Sequence, residues 1–311
     1  VSSTIGMDVH KDTITAARID SIGRHRDSTT RINTPDGIVE LLDWATAHCA
    51  AGELVVGLET SGGVGHAAAT FFQEAGAVVK IVPARLSAKE TRRRQQGKTD
   101  DIDAVAIARV VQREPLLAEH RAADASYDLK LLVDYRDQLA AERTRTANRV
   151  HADLSIVRPG YQRGIAKALT SKRALTAVEA LVADEDSVRS GLIARRLARI
   201  RQIDVELAEL KTLLASHLEH VDSSLEDIVG VSTLVAARIL GEVGDITRFR
   251  SSGAFAAANG TAPRPASSGR TDRHRYNRGG NRRLNKALYV IALTQSRHEP
   301  RAVAYLAKKQ A

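Results

Sequence analysis

Apolar and polar residues alternate from the start of the chain. Ile5, Met7 and Val9 alternate with Gly6, Asp8 and His10, the period of two that marks a half-buried strand. A single carboxylate, Asp8, therefore falls near the end of an otherwise apolar strand. Burying it costs several kcal/mol unless it is paired or bound to a cation. Residues 4–33 read as three short strands, with Asp20 to Gly23 as a turn. Pro35-Asp36-Gly37 opens a helix to about Ala51, with Ile38, Leu41, Leu42 and Ala45 on one face. Glu53 to Leu58 is a short apolar run suited to a buried central strand that ends at Glu59. Thr60 to Gly63 turns into a helix to about Ala75, and Val78 to Val82 is a further strand closed by Pro83. Strands first, then alternating β and α, predict an α/β mixed sheet with helices on its faces, over residues 1–120.

The periodicity then changes. Residues 84–113 read as helical and basic, with an interruption near Gln95-Gln96-Gly97 that follows the run Arg92, Arg93, Arg94. Leu132, Leu139, Thr146 and Val150 form one stripe of a long helix, residues 125–157, broken by Pro159-Gly160. A second stripe runs Ile193, Leu197, Ile200, Leu207, Leu210, Leu214, Leu218, Val221. Two long amphipathic helices with charged outer faces predict a helical coiled-coil arm over residues 121–222. Residues 223–311 read as a mainly α C-terminal domain. Within it, residues 225–240 read as helix, tight turn at Gly230, helix. That pattern fits a helix-hairpin-helix-like element able to hold a DNA phosphate and equally an αα-hairpin that only packs. Arg264, Arg270, Arg273, Arg275, Arg278, Arg282 and Arg283 follow, with Asp272 nearly alone on the acidic side. The Pro-, Ser- and Gly-rich stretch 262–269 predicts an exposed loop, ahead of a last helix from Asn281 to about Ser296.

Composition narrows the partners. The 311 residues carry a formal net charge of +9, with 43% apolar, 27% charged and 4% aromatic side chains. A basic chain favours a polyanion, since Lys and Arg supply the phosphate-binding term in nucleic-acid association. So few aromatics argue against stacked bases as the main mode of recognition. Cys49, the single cysteine, has no intramolecular disulfide partner and reads as packing. Neither an apolar leader nor a run of roughly 18 apolar residues is present, so a cytoplasmic protein without a membrane span is expected.

Three motifs fail on their chemistry. Gly97-Lys98-Thr99 lacks the first glycine of a P-loop, because position 92 is Arg. Gly63, Gly65 and Ala68 mimic a dinucleotide fingerprint, but the next strand ends at Val82-Pro83 without an acid for the ribose. His10-Lys11-Asp12 lacks the His-x-Lys spacing of phospholipase-D-type nucleophiles. A carboxylate set remains: Asp8 and Glu59 at two strand ends, and Asp100 with Asp103 three apart on one helix face. Taken singly, each has a structural reading, as a buried acid paired with Lys98 or as an N-terminal helix signal. Together they offer oxygen ligands suited to Mg²⁺ or Mn²⁺, ions that stabilise attacking and leaving oxygens in phosphoryl transfer. Their order matches the Asp-Glu-Asp-Asp set of RuvC-type enzymes on the ribonuclease-H-like fold.

The segments Gly-Met-Asp8-Val-His-Lys-Asp, Leu58-Glu59-Thr60-Ser61-Gly62 and Lys98-Thr99-Asp100-x-x-Asp103-Ala104 resemble the N-terminal half of the DEDD transposases of the insertion-sequence one-ten (IS110) family, which includes Piv-type DNA invertases. Gly230-Val231-Ser232, Arg248-Phe249, Ala262-Pro263, Ser267-Ser268-Gly269 and Arg278-x-Gly280-Asn281-Arg282-x-Leu284-Asn285 resemble its C-terminal half. The resemblance implies a RuvC-like domain with Asp8, Glu59, Asp100 and Asp103 as catalytic metal ligands. It also implies a transposase domain whose serine, matched by Ser268 with Ser267 as fallback, attacks DNA. Implied partners are DNA and an element-encoded guide RNA. The serine and the acids lie far apart in sequence with the coiled coil between them, so a site completed between protomers of a homodimer or homotetramer is expected. Thr261 departs from the apolar residue usual before Ala-Pro, and relatives continue beyond the position of Ala311, so a shortened C-terminus is expected. The alternative is a RuvC-like junction resolvase that uses water as nucleophile. An actin-type ATPase fits less well, because bulky Val9-His10-Lys11 follows Asp8. A non-catalytic DNA-binding relic is the third possibility.

Overall fold

The computed structural model describes residues 3–47, 53–59, 63–93, 99–115, 117–120, 124–165, 169–267, 271, 273–277 and 279–310. The chain forms two compact units, residues 1–122 and 123–311. No helix among the described residues is long and apolar enough to cross a membrane.

In the first unit, β1 (Ser3–Val9), β2 (Thr13–Ile19) and β3 (His25–Ile32) form an antiparallel meander, and α1 (Pro35–Thr46) follows. β4 (Leu54–Leu58) returns parallel to β1. α2 (His66–Glu74), β5 (Val78–Ile81), α3 (Ala84–Arg93), α4 (Asp100–Arg113) and the short β6 (Ala118–Glu119) complete the unit. The strand order β3-β2-β1-β4-β5-β6 makes a mixed α/β sheet consistent with the ribonuclease-H-like arrangement. Alternation along the two central strands decides which helix each residue meets. Ile5, Met7, Val56 and Leu58 point to α1 and α2, where they join Ile38, Leu41 and Phe72 in one core. Gly6 and Gly57 point to α4. A methyl group added at Gly6 would lie 2.0 Å from the Ala104 carbonyl oxygen, and one at Gly57 would lie 2.2 Å from Val111 Cγ2. Two missing side chains therefore let α4 lie directly on the sheet.

The second unit is helical. α5 (Ala125–Val157) and α7 (Val188–Glu219) run antiparallel: Leu129 and Val133 cluster with Leu214 and Leu218, whereas Val150 and Leu154 cluster with Ile193 and Leu197. α6 (Lys172–Val182), which the stripes did not predict, closes one end through Leu175, Val178 and Val182. α8 (Thr233–Val243) packs Ala236 and Ala237 on the other end. The segment expected to be the first helix of a hairpin is instead a three-residue 3-10 turn, Leu225–Asp227, too short to bury a helical face of its own. α9 (Ser252–Asn259) follows. The stretch expected to be a loop contains β7 (Arg264–Pro265), paired antiparallel with β8 (His274–Arg275). α10 (Arg282–His298) and α11 (Pro300–Gln310) end the described chain.

Glu242 of α8 ties this unit together. It accepts hydrogen bonds from Lys130 Nζ at 2.9 Å and Asn281 Nδ2 at 2.5 Å, and it lies 3.5 Å from Arg283 Nη1. Burial pushes its pKa up, but those hydrogen bonds and the charges of Lys130 and Arg283 outweigh burial and hold it below the ordinary glutamate value. A depressed folded pKa gives stability that is fully present above the unfolded pKa and lost as pH falls through the folded one. Glu242→Gln is therefore expected to cost about 2 kcal/mol at neutral pH, a charged hydrogen-bond loss. It should also flatten the acid limb of stability, checked by urea midpoints of both chains from neutral to acid pH.

Candidate catalytic carboxylates and a basic ribbon

In the first unit, the face of β1 turned toward α4 carries Gly6, then Asp8, with His10 just past the end of the strand. Because α4 lies against Gly6, its first turn comes up to Asp8. Thr99 caps that helix by accepting the Ile102 amide, and Asp100, Asp101 and Asp103 fill its first turn, where the helix dipole favours negative charge. His10 Nε2 lies 3.1 Å from Asp8 Oδ2 and 3.7 Å from Asp100 Oδ1. Ligand atoms of Asp8, His10 and Asp100 lie within 4.8 Å of one another. The Asp8 side chain is 17% exposed. Burial raises its pKa; His10 opposes this, and the charges of Asp103 and Asp100 add to it. Among the described residues, the His10 imidazole is the cationic neighbour that offsets the negative charge gathered around Asp8.

Glu59 follows β4, whose Leu58 pairs with Met7, so Glu59 and Asp8 leave the ends of adjacent parallel strands on the same face. α3 grips the remaining acids from its inner side. Buried Ser87 donates to Glu59 Oε1, and Thr91, one turn on, donates to Asp103 Oδ1 at 3.3 Å. The exposed Asp101 takes no part. The sequence set thus divides in space: Asp8 and Asp100 converge directly, Asp103 acts on Asp8 through its charge, and Glu59 and Asp103 are held by hydroxyls of α3. His10, Ser87 and Thr91 were not singled out from the sequence. For His10 the signal was present, since alternation places it on the face of Asp8. For the two hydroxyls there was none, because only the packing of α3 on the strand ends gives them partners.

The C-terminal candidates gather on the second unit. Arg264 and Arg275 sit directly opposite each other in the β7–β8 ribbon, both exposed. Like charges in that register repel, an arrangement suited to an anion between them. Arg273 and Arg282 are also exposed. Arg283 differs: it is ion-paired with Asp134 and faces Glu242, so its charge is already met within the protein. Gly230 has φ +92°, and a methyl group there would lie 3.0 Å from Thr294 Cβ of α10. Packing alone accounts for that glycine, and the Val231 amide is already bonded to the Ile228 carbonyl. Arg92 is exposed on α3. Ser268, Arg94, Arg270 and Arg278, and the side chain of Arg93, lie outside the described residues. Ser267, the fallback nucleophile, accepts the Arg273 amide at 3.3 Å.

Both halves match known transposases. Residues 5–159 match a transposase model of the DEDD IS110 type, and residues 222–307 match the model described as Transposase IS116/IS110/IS902 family. The chain belongs to the IS110 family of transposases. It is 27% identical over 221 residues to the transposase for insertion sequence element IS1328 of Yersinia enterocolitica, covering 69% of this chain and 62% of that protein. It therefore spans less than two thirds of the length of that relative. It is also 25% identical over 327 aligned positions to the insertion element IS900 42 kDa protein of Mycobacterium paratuberculosis, with 89% and 82% covered. Identity to the insertion element IS116 44.8 kDa protein of Streptomyces clavuligerus is again 25%, over 354 positions, with 98% and 88% covered. In this IS110-family chain the first matched segment contains Asp8, Glu59, Asp100 and Asp103, and the second contains Gly230 and the basic ribbon.

Proposed function

We propose that the chain is a DNA transposase or recombinase that cleaves and rejoins strands, with Asp8, Glu59, Asp100 and Asp103 as ligands of a divalent cation and Ser268 as the nucleophile. The observation that carries the reading is the approach of Asp100 to Asp8 at the end of β1, inside the segment that matches DEDD transposases. The donor set fits the ion: carboxylate oxygens suit hard Mg²⁺ or Mn²⁺. Burial first, then the charges of Asp103 and Asp100, hold the Asp8 pKa above the ordinary carboxylate value, a cost that a bound cation would relieve. A bound ion would supply charge stabilisation to the phosphoryl oxygens. Ser87 and Thr91 then hold Glu59 and Asp103 in place. In the transfer step the Ser268 oxygen forms a bond to the scissile phosphorus and loses its proton, the bond from phosphorus to the 3′ oxygen breaks, and the 3′ oxygen leaves as a hydroxyl.

Phosphate contacts are assigned to Arg264, Arg273, Arg275 and Arg282, with Arg92, Arg93, Arg94, Arg270 and Arg278 as further candidates. An element-encoded RNA that selects the DNA, relatedness to Piv-type invertases, and a homodimer or homotetramer belong to the same reading. So do a functional division at residues 120 and 222, with the paired helices α5 and α7 as a coiled-coil arm, and a cytoplasmic location. The test is incubation of the full chain with Mg²⁺, element-end DNA and its RNA, followed by denaturing electrophoresis. A DNA adduct lost in Ser268→Ala is expected. Cleavage without any adduct would instead make water the nucleophile, as in a junction resolvase.

A further inference from the structure

We propose that a hollow beside the basic ribbon binds one unstacked nucleobase, with the adjoining phosphate held by Arg275. The proposal rests on the reading of the chain as a nucleic-acid enzyme and adds to it a defined contact. The hollow measures about 500 Å³ and lies between the ribbon and one face of α10, within the range of small-molecule sites. Asn285, Leu288 and Tyr289 line it from α10 at helical spacing, and Pro263, Arg275 and Tyr276 line it from the ribbon side. Tyr276 is 53% exposed and Tyr289 64% exposed, so two of the six tyrosines in the chain hold their rings against one open space. The Arg282 guanidinium sits 4.9 Å from the centre of the Tyr276 ring, a cation–π contact that fixes the ring.

A base matches these walls. Its flat faces suit the tyrosine rings and the Leu288 side chain, and its polar edge suits the Asn285 amide, which both donates and accepts. The phosphate answers the repulsion between Arg264 and Arg275, which face each other across the ribbon. An apolar peptide would cover the tyrosines and leave that charge unmet. The frame is already built. Gly280 packs so closely on Gly260 that a methyl group at Gly280 would lie 2.3 Å from the Gly260 nitrogen. Asn281 donates its amide to the Ala258 carbonyl at 2.8 Å, and Asn277 Nδ2 donates to the Ala257 carbonyl at 2.9 Å. A preformed frame keeps the ordering cost of binding low. With so few aromatics in the chain, one captured base is a better fit than a stacking platform.

The experiment uses the full chain, at one fixed salt concentration because phosphate contacts depend on salt. Its probes are a short single-stranded DNA carrying 2-aminopurine, the same sequence as RNA, and a duplex of the same DNA. Binding of a single strand should quench the probe base. Tyr289→Leu should weaken single-strand binding about tenfold and abolish the quenching, Tyr289→Phe should stay within about twofold of the parent, and duplex affinity should be unchanged in both. If the tenfold loss appears with RNA only, the captured base comes from RNA, and the hollow stands. If Tyr289→Leu binds and quenches like the parent, the hollow does not take a base. Should the parent bind neither duplex nor single strand, the nucleic-acid reading itself falls, and the proposal with it.

Discussion

An Asp8→Asn chain is expected to fold, to bind DNA as tightly as the parent, and to cut it at least roughly 10³-fold more slowly. The size follows from metal-centred charge stabilisation worth several kcal/mol, at about 1.4 kcal/mol per tenfold in rate. The preserved fold follows from the electrostatics of the site. Burial and the neighbouring Asp103 and Asp100 raise the Asp8 pKa against the opposing effect of His10. A carboxylate whose folded pKa lies above its unfolded one weighs against the folded state once both forms are ionised. The uncharged amide removes that cost, so the melting temperature at neutral pH should be equal to or higher than that of the parent. Cations supply a second readout that does not depend on cutting. Mg²⁺ or Mn²⁺ at about 100 times its dissociation constant should stabilise the parent by about 2.7 kcal/mol, and Asp8→Asn should lose most of that gain. If Asp8→Asn unfolds the unit, or if the parent melts identically with and without cation, Asp8 is a structural acid and the catalytic assignment fails.

The second large effect is expected at Gly6, which does no chemistry. The methyl group of Gly6→Ala would lie 2.0 Å from the Ala104 oxygen and 2.5 Å from the Ala108 nitrogen, both main-chain atoms of α4. Neither can rotate away, so the helix must lift from the sheet. Overpacking of this kind reaches about 3 kcal/mol, roughly a 10 °C fall in the melting temperature of a unit of this size. Because α4 carries Asp100 and Asp103, cleavage should fall further than the folded fraction does, and stabilisation by Mg²⁺ should fall with it. Gly57→Ala provides the contrast. Its methyl group meets a side-chain atom, Val111 Cγ2, so adding Val111→Ala should recover much of the stability, a rescue with no counterpart at Gly6. Melting curves with and without Mg²⁺ for the four chains decide the point.

These two positions also mark how far the sequence could be read. The alternation of Ile5, Met7 and Val9 with Gly6, Asp8 and His10 was enough to predict β1 and to put Asp8 and His10 on one face. The apolar run through Leu58 predicted β4 with Glu59 at its end, and the long stripes predicted α5 and α7. The two-residue strands of the β7–β8 ribbon escaped, because so few residues carry too little periodicity to separate them from loops. α6 and α9 were also not predicted, although Leu175, Val178 and Val182 of α6 do recur at helical spacing. Residues 225–227 fit a helical arm by the same ambiguity, since three residues do not distinguish a 3-10 turn from the start of an α-helix.

By itself the sequence determined the local faces of the strands and long helices, the order of the four acids, and the concentration of arginines between residues 264 and 283. Only the tertiary structure decided which of those groups meet. α4 reaches Asp8 because Gly6 and Gly57 leave room for it, and Ser87 and Thr91 become partners of Glu59 and Asp103 because α3 lies across the strand ends. Arg283 is neutralised by Asp134, 149 positions away in sequence, whereas Arg264 and Arg275 are forced together by the register of a two-residue ribbon. The physical reason is the same throughout. Side-chain direction follows from the backbone period of a single segment, but proximity between charges depends on how closely separate segments can pack.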